Sequence, residues 1–101
     1  MTQRNLGLKI TEIIWLPAVV DKIESRHRVT TGEVEELFGS RPRFRRIEAG
    51  EIAGEDLYAA LGRTETGRFL IVFFIRKASQ VALVISGREM TTKEKRAHAR
   101  K

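Results

Sequence analysis

The sequence predicts one α+β domain spanning residues 1–101, in which two short N-terminal helices pack on an antiparallel sheet of about four strands. Three observations lead to this fold class. Apolar residues recur at helical spacing before residue 39, four strand-like runs with short connections follow, and residues 92–101 form a basic C-terminal segment. Because 42% of the residues are hydrophobic, the chain can bury a core of modest size.

The N-terminal part of the chain predicts a loose start, a short edge strand and a helix. Residues 1–8 are expected to be loose, and residues 10–15 are expected to form the edge strand. A helix is predicted over residues 17–26, because Pro17 suits a first helical turn and the apolar side chains around it follow helical spacing. These apolar side chains are Leu16, Val19, Val20 and Ile23.

A second helix is predicted over residues 31–38. Thr30 and Glu33 have the spacing of a capping box, and Gly39 is suited to end the helix. One apolar stripe runs along it, formed by Val34, Leu37 and Phe38. Helices this short are unstable alone, so each must lay its apolar stripe on a sheet.

Four strands are predicted, over residues 44–49, 57–63, 69–76 and 81–86. The connections at 63–68 and 77–80 are short enough for hairpins, which favours antiparallel order. The third of these runs is apolar at both odd and even positions, a pattern typical of a central strand covered on both faces. The two helices can cover one face, and the C-terminal segment is left for the other.

Residues 92–101 are predicted to form a basic helix or tail. Thr91 and Glu94 repeat the capping-box spacing, and Met90 can anchor the start of the helix on the sheet. Beyond Met90 the only apolar side chains are two alanines, so the helix is expected to pack weakly. An incompletely covered apolar sheet face is a candidate protein interface.

Charge and composition narrow the functional classes. The net charge of +6 and the pI near 10.3 favour a polyanionic partner, either nucleic acid or an acidic protein. Without cysteine, disulfides and thiolate chemistry are excluded, and no metal-ligand cluster surrounds His27 or His98, so neither a metal nor a cofactor is expected. No apolar run reaches the roughly 18 residues of a spanning helix or forms a signal-peptide core, which predicts no membrane contact and a cytoplasmic location.

Three stretches resemble one family. They are "RHRVTTGEVEELF" at residues 26–38, "YAALGRTETGRFLIVFF" at residues 58–74 and "VISGREMTTKEKR" at residues 84–96. Their order and spacing are similar to those of the BrnT toxins, the RelE-like ribonucleases of type II toxin–antitoxin pairs. The resemblance implies a compact RelE-like α+β fold and an endoribonuclease that arrests translation. It also implies a small, acidic, BrnA-like antitoxin that masks the toxin and binds operator DNA, so that this chain meets operator DNA only through the antitoxin.

RNA cleavage of this kind needs few groups. The 2′-hydroxyl attacks the adjacent phosphorus while a base takes its proton, cations stabilise the added negative charge, and an acid protonates the leaving oxygen. Arginine suits the cationic role because its planar guanidinium can donate hydrogen bonds to two phosphate oxygens at once. Arg63, Arg76 and Arg88 end predicted strands and are the catalytic candidates. His27 is the candidate for proton transfer, although a histidine directly after a helix also suits capping or packing. His98 lies in the tail and is not expected to be catalytic.

Two basic segments are candidates for RNA binding. The first holds four arginines around one aromatic side chain, and its basic residues are Arg41, Arg43, Arg45 and Arg46. The same charges would also keep an edge strand from aggregating. The second is the tail, with Lys93, Lys95, Arg96 and Arg100, which would equally suit an acidic groove on an antitoxin. Tyr58 can stack on a base or serve as a core aromatic.

The sequence therefore predicts a toxin that cleaves RNA without a metal ion. The alternative is a catalytically weak member that binds RNA or the antitoxin. Leu57 and Leu83 favour this alternative, because they stand where the family carries basic residues. A basic DNA-binding protein is less well supported, because no recognition helix with base-reading side chains is evident.

Overall fold

The computed structural model describes residues 8–52, 54–77 and 80–100. In chain order the elements are β1 (Glu12–Ile14), α1 (Pro17–His27), α2 (Thr31–Gly39), β2 (Arg43–Glu48), β3 (Leu57–Arg63), β4 (Phe69–Lys77), β5 (Val81–Glu89) and α3 (Thr92–Arg100). The five strands form one sheet in the order β1-β5-β4-β3-β2. The α+β fold class predicted from the sequence is confirmed.

The two N-terminal helices begin at the residues that the sequence predicts. Pro17 occupies the first turn of α1, as predicted. At the start of α2 the capping box is complete: Glu33 N donates to Thr30 Oγ1 at 3.1 Å, and Thr30 N donates to Glu33 Oε1 at 3.1 Å. The prediction that residues 1–8 are loose lies outside the described residues except at Leu8, which packs against the main core.

β1 lies at the edge of the sheet, as predicted, but it pairs in parallel with β5. The antiparallel order predicted for the four later strands is confirmed for β2 to β5, and β1 adds a fifth strand whose parallel direction was not predicted. The reason lies in α1, which begins shortly after β1 and packs along the second half of β5. There Lys22 Nζ donates to Ile85 O at 2.8 Å. To reach that position the chain has to run in the same direction as β5.

The main core lies between the sheet and helices α1 and α2. Ile23, Val34 and Leu37 face the even-numbered side chains of β4, and these helix residues are fully buried. Around Phe74, at the centre of β4, lies an aromatic group. Its members Phe38, Phe44 and Tyr58 have ring centroids 5.3, 5.9 and 5.7 Å from that of Phe74. This burial gives the two short helices the support that they lack alone.

The second face of the sheet carries a smaller apolar cluster under α3. Ile71 and Leu61 are buried there with Met90, and Phe69 and Phe73 are partly buried around them. β4 is thus covered on both faces, as predicted. Over its described length the C-terminal segment is a helix, but α3 buries none of its own residues. The prediction that this helix packs weakly is confirmed.

β5 continues three residues beyond its predicted end and contains a bulge. Val84 pairs with Phe74 and Ser86 with Phe73, so one residue of β5, Ile85, has no partner on β4. Side chains alternate between the two faces along a strand. Because of this extra residue, each later residue of β5 therefore points to the face opposite to the one that regular alternation would give it. Arg88 consequently lies on the α3 face, opposite Ile71, instead of on the face of the main core.

Candidate functional site

Two of the three predicted catalytic arginines lie at one end of the sheet. Arg63 pairs with Phe69 at the start of β4, and Arg88 pairs with Ile71 two residues further on, so both are on the α3 face. Arg76 lies near the other end of β4 and on the opposite face. The three catalytic candidates therefore do not lie together: successive antiparallel strands end at opposite ends of the sheet, so Arg76 is separated from Arg63 and Arg88.

Arg88 is held by Glu94 of α3. Its Nη1 and Nη2 atoms donate to Glu94 Oε1 and Oε2 at 2.8 and 3.0 Å, and Nη1 also donates to the carbonyl of Glu89 at 3.1 Å. The guanidinium lies 5.6 Å from the centre of the Phe73 ring. Glu94 is itself fixed, because Thr91 N donates to its Oε1 atom at 2.8 Å in the capping box of α3. Arg88 therefore has a defined position although its side chain is 33% exposed.

The electrostatics of this pair follow from its two-pronged geometry. The hydrogen bonds from Arg88 are the main cause that lowers the pKa of Glu94 to about 2, against the opposing effect of partial burial. The same hydrogen bonds raise the pKa of Arg88. The pair therefore remains ionised throughout the physiological pH range.

A chain of aromatic contacts links Arg63 to the end of α3. The Arg63 guanidinium lies 5.4 Å from the centre of the Phe69 ring, and the His98 ring meets the same phenylalanine edge to face at 6.2 Å. His98, which the sequence analysis set aside as part of the tail, is half-buried here. The sequence does contain a signal for this position: His98 follows Glu94 by four residues, so both lie on one side of α3.

A groove opens between α3 and the edge of the sheet at β2. We call it the α3 groove; it encloses about 270 Å³ and is lined by Arg43, Arg45, Leu61, Lys93, Glu94, Ala97 and His98. Arg43 and Arg45 both reach it because they are two residues apart on β2 and so lie on the same face. Three cations thus surround a floor that includes Leu61 and Ala97. Among the described residues that line the groove, the one carboxylate is that of Glu94, and it is already bound to Arg88.

The residues predicted to bind RNA lie in different parts of the structure. Arg43, Arg45 and Lys93 come together in the α3 groove. Arg46 instead pairs with Asp56 across a 3.0 Å salt bridge, and Arg41 precedes β2 in the left-handed region with φ 59°. The remaining three basic residues are exposed on α3 and do not line the groove; they are Lys95, Arg96 and Arg100.

Tyr58 is not part of this surface. It is 7% exposed and stacks on Phe74 in the main core, on the face of the sheet opposite to α3. The prediction that Tyr58 stacks on an RNA base is wrong for this conformation, because its ring is enclosed by core aromatics. The other reading of this residue, a core aromatic, is confirmed.

His27 lies in a different depression, at the end of α1. We call it the α1 cleft; it is open, encloses about 610 Å³ and is lined by Arg26, His27, Arg28, Arg68, Arg88 and Glu89. α1 ends at His27 because Arg28 adopts φ 57° and its N–H caps the carbonyl of Ile23. Arg88 is the residue that joins the two depressions, since it lines the α1 cleft and binds Glu94 of the α3 groove.

Arg68 holds the side of the α1 cleft in place, although no signal in the sequence singled it out. Its guanidinium donates to both oxygens of Glu33 at 2.8 and 2.9 Å, to Glu89 Oε2 at 3.0 Å and to the carbonyl of Arg28 at 2.8 Å. Partial burial opposes ionisation of Glu33, but its hydrogen bonds with Thr30 and Arg68 outweigh burial and lower its pKa. No local pattern could have revealed this brace, because its partners are distant in the chain.

Two general properties of the described residues bear on function. Within residues 8–52, 54–77 and 80–100, no helix is long and apolar enough to cross a membrane. In the same ranges, no group of three or more histidine, cysteine, aspartate or glutamate side chains is arranged to hold a metal ion.

The fold and the site define a small basic α+β protein with a cationic groove on one face of its sheet. The fold is similar to the crystal structure of the ribonuclease toxin BrnT of Brucella abortus, with a TM-score of 0.54 and 18% sequence identity over 85% of this chain and 100% of the toxin. At this identity the similarity is one of fold, and at that level the resemblance seen in the sequence is confirmed. No protein-family model and no curated protein matches the sequence.

Proposed function

We propose that this protein is the ribonuclease toxin of a toxin–antitoxin pair and that it cleaves RNA on the α3 face of its sheet. The observation that carries the proposal is the convergence of Arg63, Arg88 and the cations of the α3 groove with one imidazole, His98. The fold similarity to a ribonuclease toxin supports it.

The residues of this face match the chemistry. In the cleavage step the 2′-oxygen forms a bond to phosphorus and the bond from phosphorus to the 5′-oxygen breaks. Arg63 and Arg88 are positioned to stabilise the added negative charge on the phosphate oxygens. We assign proton transfer to His98, whose imidazole would accept the proton of the 2′-hydroxyl and return it to the leaving 5′-oxygen, because an imidazole ordinarily exchanges protons near neutral pH and this one borders the groove. The ion pair with Glu94 orients Arg88 before RNA arrives, so little ordering is left for the transition state.

A second candidate function is a catalytically weak module that binds RNA or an antitoxin. Leu57 and Leu83 both pair with Ile75 of β4, so the two positions at which the family carries basic residues form an apolar row on the α3 face. Arg88 also shares its charge with Glu94. Both observations lower the positive charge available to a transition state.

The proposal includes a partner and a compartment. Phe69 and Phe73 are only partly buried beside α3, and this partly exposed apolar surface is suited to burial by an antitoxin. A basic surface favours an acidic partner, and contact with operator DNA would come through that antitoxin. Cleavage of translated RNA takes place in the cytoplasm, which is the location that the proposal requires.

Two histidine variants test the assignment on purified protein and saturating single-stranded RNA. His98→Gln is expected to lower turnover by about 100-fold, the scale of general acid–base catalysis, while His27→Gln leaves turnover unchanged. Lys77→Gln serves as a charge control, because Lys77 pairs with Glu55 at 2.9 Å at the other end of the sheet. The opposite ranking of the two histidines would move proton transfer to the α1 cleft. A folded wild-type protein that binds RNA without cleaving it would favour the binding module.

A further inference from the structure

The outer edge of β5 is open along its second half. β1 has only three residues and pairs with Val81, Ala82 and Leu83. Beyond Leu83, within the described parts of the chain, β5 has a strand neighbour on one side only, namely β4. A strand edge of this kind presents backbone N–H and C=O groups with which another extended chain can pair.

Two features set where the open edge begins. The bulge at Ile85 interrupts the regular register. In addition, the carbonyl oxygen of Ile85 already accepts a hydrogen bond from Lys22 Nζ at 2.8 Å. The regular open stretch is therefore residues 86–89, which spans about 13 Å at the usual rise per residue of a strand. It ends at Glu89, whose carbonyl accepts a hydrogen bond from Arg88 Nη1 at 3.1 Å. A segment of about four residues can pair along it.

This edge borders the α1 cleft, and the cleft is positively charged. Two of its arginines are already bound to carboxylates of the chain, Arg68 to Glu33 and Glu89 and Arg88 to Glu94. Arg26 and Arg28 are exposed and, among the described residues, neither side chain forms an ion pair. The backbone of Arg28 is held by its carbonyl, which accepts from Arg68 Nη1 at 2.8 Å. The open edge thus has two exposed arginines beside it whose charges are not compensated by an ion pair with any described residue.

We propose that residues 86–89 bind a short, extended, acidic segment of a partner protein as an added strand, with its carboxylates on Arg26 and Arg28. Acidic residues at alternate positions would place successive carboxylates on one side of the added strand, facing the cleft. The identification of that partner as the antitoxin rests on the proposed function; the binding mode does not. A peptide fits better than RNA, because RNA offers no row of amide groups to pair with a strand edge.

Two synthetic peptides test this mode on the intact chain. The first alternates Glu and Val over six residues, and the second has the same sequence with every backbone amide N-methylated, which keeps the charge but prevents strand pairing along either edge of the peptide. The first peptide is expected to slow hydrogen exchange of the amides in residues 86–89, and the methylated peptide is expected not to bind. Equal binding of both peptides would mean attraction by charge alone and would overturn the proposal.

A pair of double variants tests the two cations. Arg26→Gln with Arg28→Asn is expected to weaken peptide binding about fivefold, the scale of two exposed ion pairs. Arg41→Asn with Arg46→Gln is the matched control, because it removes the same charge at the far edge of the sheet, and Arg41, like Arg28, has a positive φ that Asn tolerates. An equal loss in both double variants would overturn the proposal.

Two further outcomes would also overturn it, namely no binding of the first peptide at millimolar concentration, and displacement of that peptide from residues 86–89 by single-stranded RNA. The peptide assay is independent of ribonuclease activity. A wild-type protein that fails to cleave RNA overturns the proposed function and leaves the peptide result intact. Conversely, the Arg26→Gln and Arg28→Asn double variant is expected to cleave RNA at the wild-type rate.

Discussion

Replacing Glu94 by Gln removes the charge that binds Arg88 while it keeps the shape of the side chain. A glutamine can still accept from the backbone N–H of Thr91, so the capping box of α3 is retained and the substitution isolates the ion pair. The fall in the pKa of Glu94 from 4.5 to about 2 corresponds to about 3 kcal/mol of stability by linkage. Because the side chains of Arg88 and Glu94 are 33% and 24% exposed, solvent screening reduces the expected loss to about 1–2 kcal/mol.

The effect has a defined pH window. A carboxylate whose folded pKa lies below its unfolded value stabilises the fold above the unfolded value and loses that contribution as the pH falls through the folded value. The difference in unfolding free energy between the wild type and Glu94→Gln should therefore be constant above about pH 5.5. It should shrink between pH 4.5 and about 2.

Urea unfolding at a series of pH values measures this difference. The exposed residue Glu24 on α1 supplies the control, and Glu24→Gln is expected to change stability by less than about 0.5 kcal/mol. At neutral pH, the Glu94→Gln variant should also melt about 5–10 °C below the wild type. A stability difference that stays the same from pH 7 to pH 2 would show that Glu94 stabilises the fold by packing and not through Arg88.

Three further changes have expected outcomes. Gly62→Ala should destabilise the fold by about 1–3 kcal/mol in thermal unfolding, because the new Cβ would lie 2.6 Å from Leu37 Cδ1 where α2 meets β3; an unchanged melting temperature would contradict this packing. Tyr58→Phe should leave RNA affinity unchanged in a fluorescence titration, since the ring is buried, and a marked loss would return Tyr58 to the RNA site. Arg88→Gln should lower turnover about 100-fold, whereas Arg76→Gln at the other end of the sheet should not, in single-turnover cleavage of RNA; equal losses would contradict the separation of the two residues.

Most of the elements could be predicted from local signals. Pro17 and the capping box of Thr30 and Glu33 mark helix starts by chemistry that acts within a few residues, so α1 and α2 begin where expected. The bounds of β3 also agree with the prediction. These signals do not depend on the rest of the fold.

The arrangement of the site depended on long-range geometry that the sequence does not display. The direction of β1 follows from where α1 has to pack, and the face of Arg88 follows from a bulge at Ile85 that apolar alternation does not mark. The brace at Arg68 joins residues far apart in the chain. The sequence could therefore supply candidate arginines, but it could not show that Arg63 and Arg88 share a face while Arg76 lies elsewhere.

The central claim, that the α3 face cleaves RNA through the 2′-hydroxyl, is tested most directly by one comparison. Purified protein is incubated with a single-stranded RNA and with the same strand carrying 2′-deoxy sugars at every position, and the products are identified by mass spectrometry. The account predicts fragments ending in a 2′,3′-cyclic phosphate from the RNA alone, with the yield reduced about 100-fold in Arg88→Gln at equal binding. Cleavage of the deoxy strand, or undiminished cleavage of RNA by the Arg88→Gln variant, would contradict it.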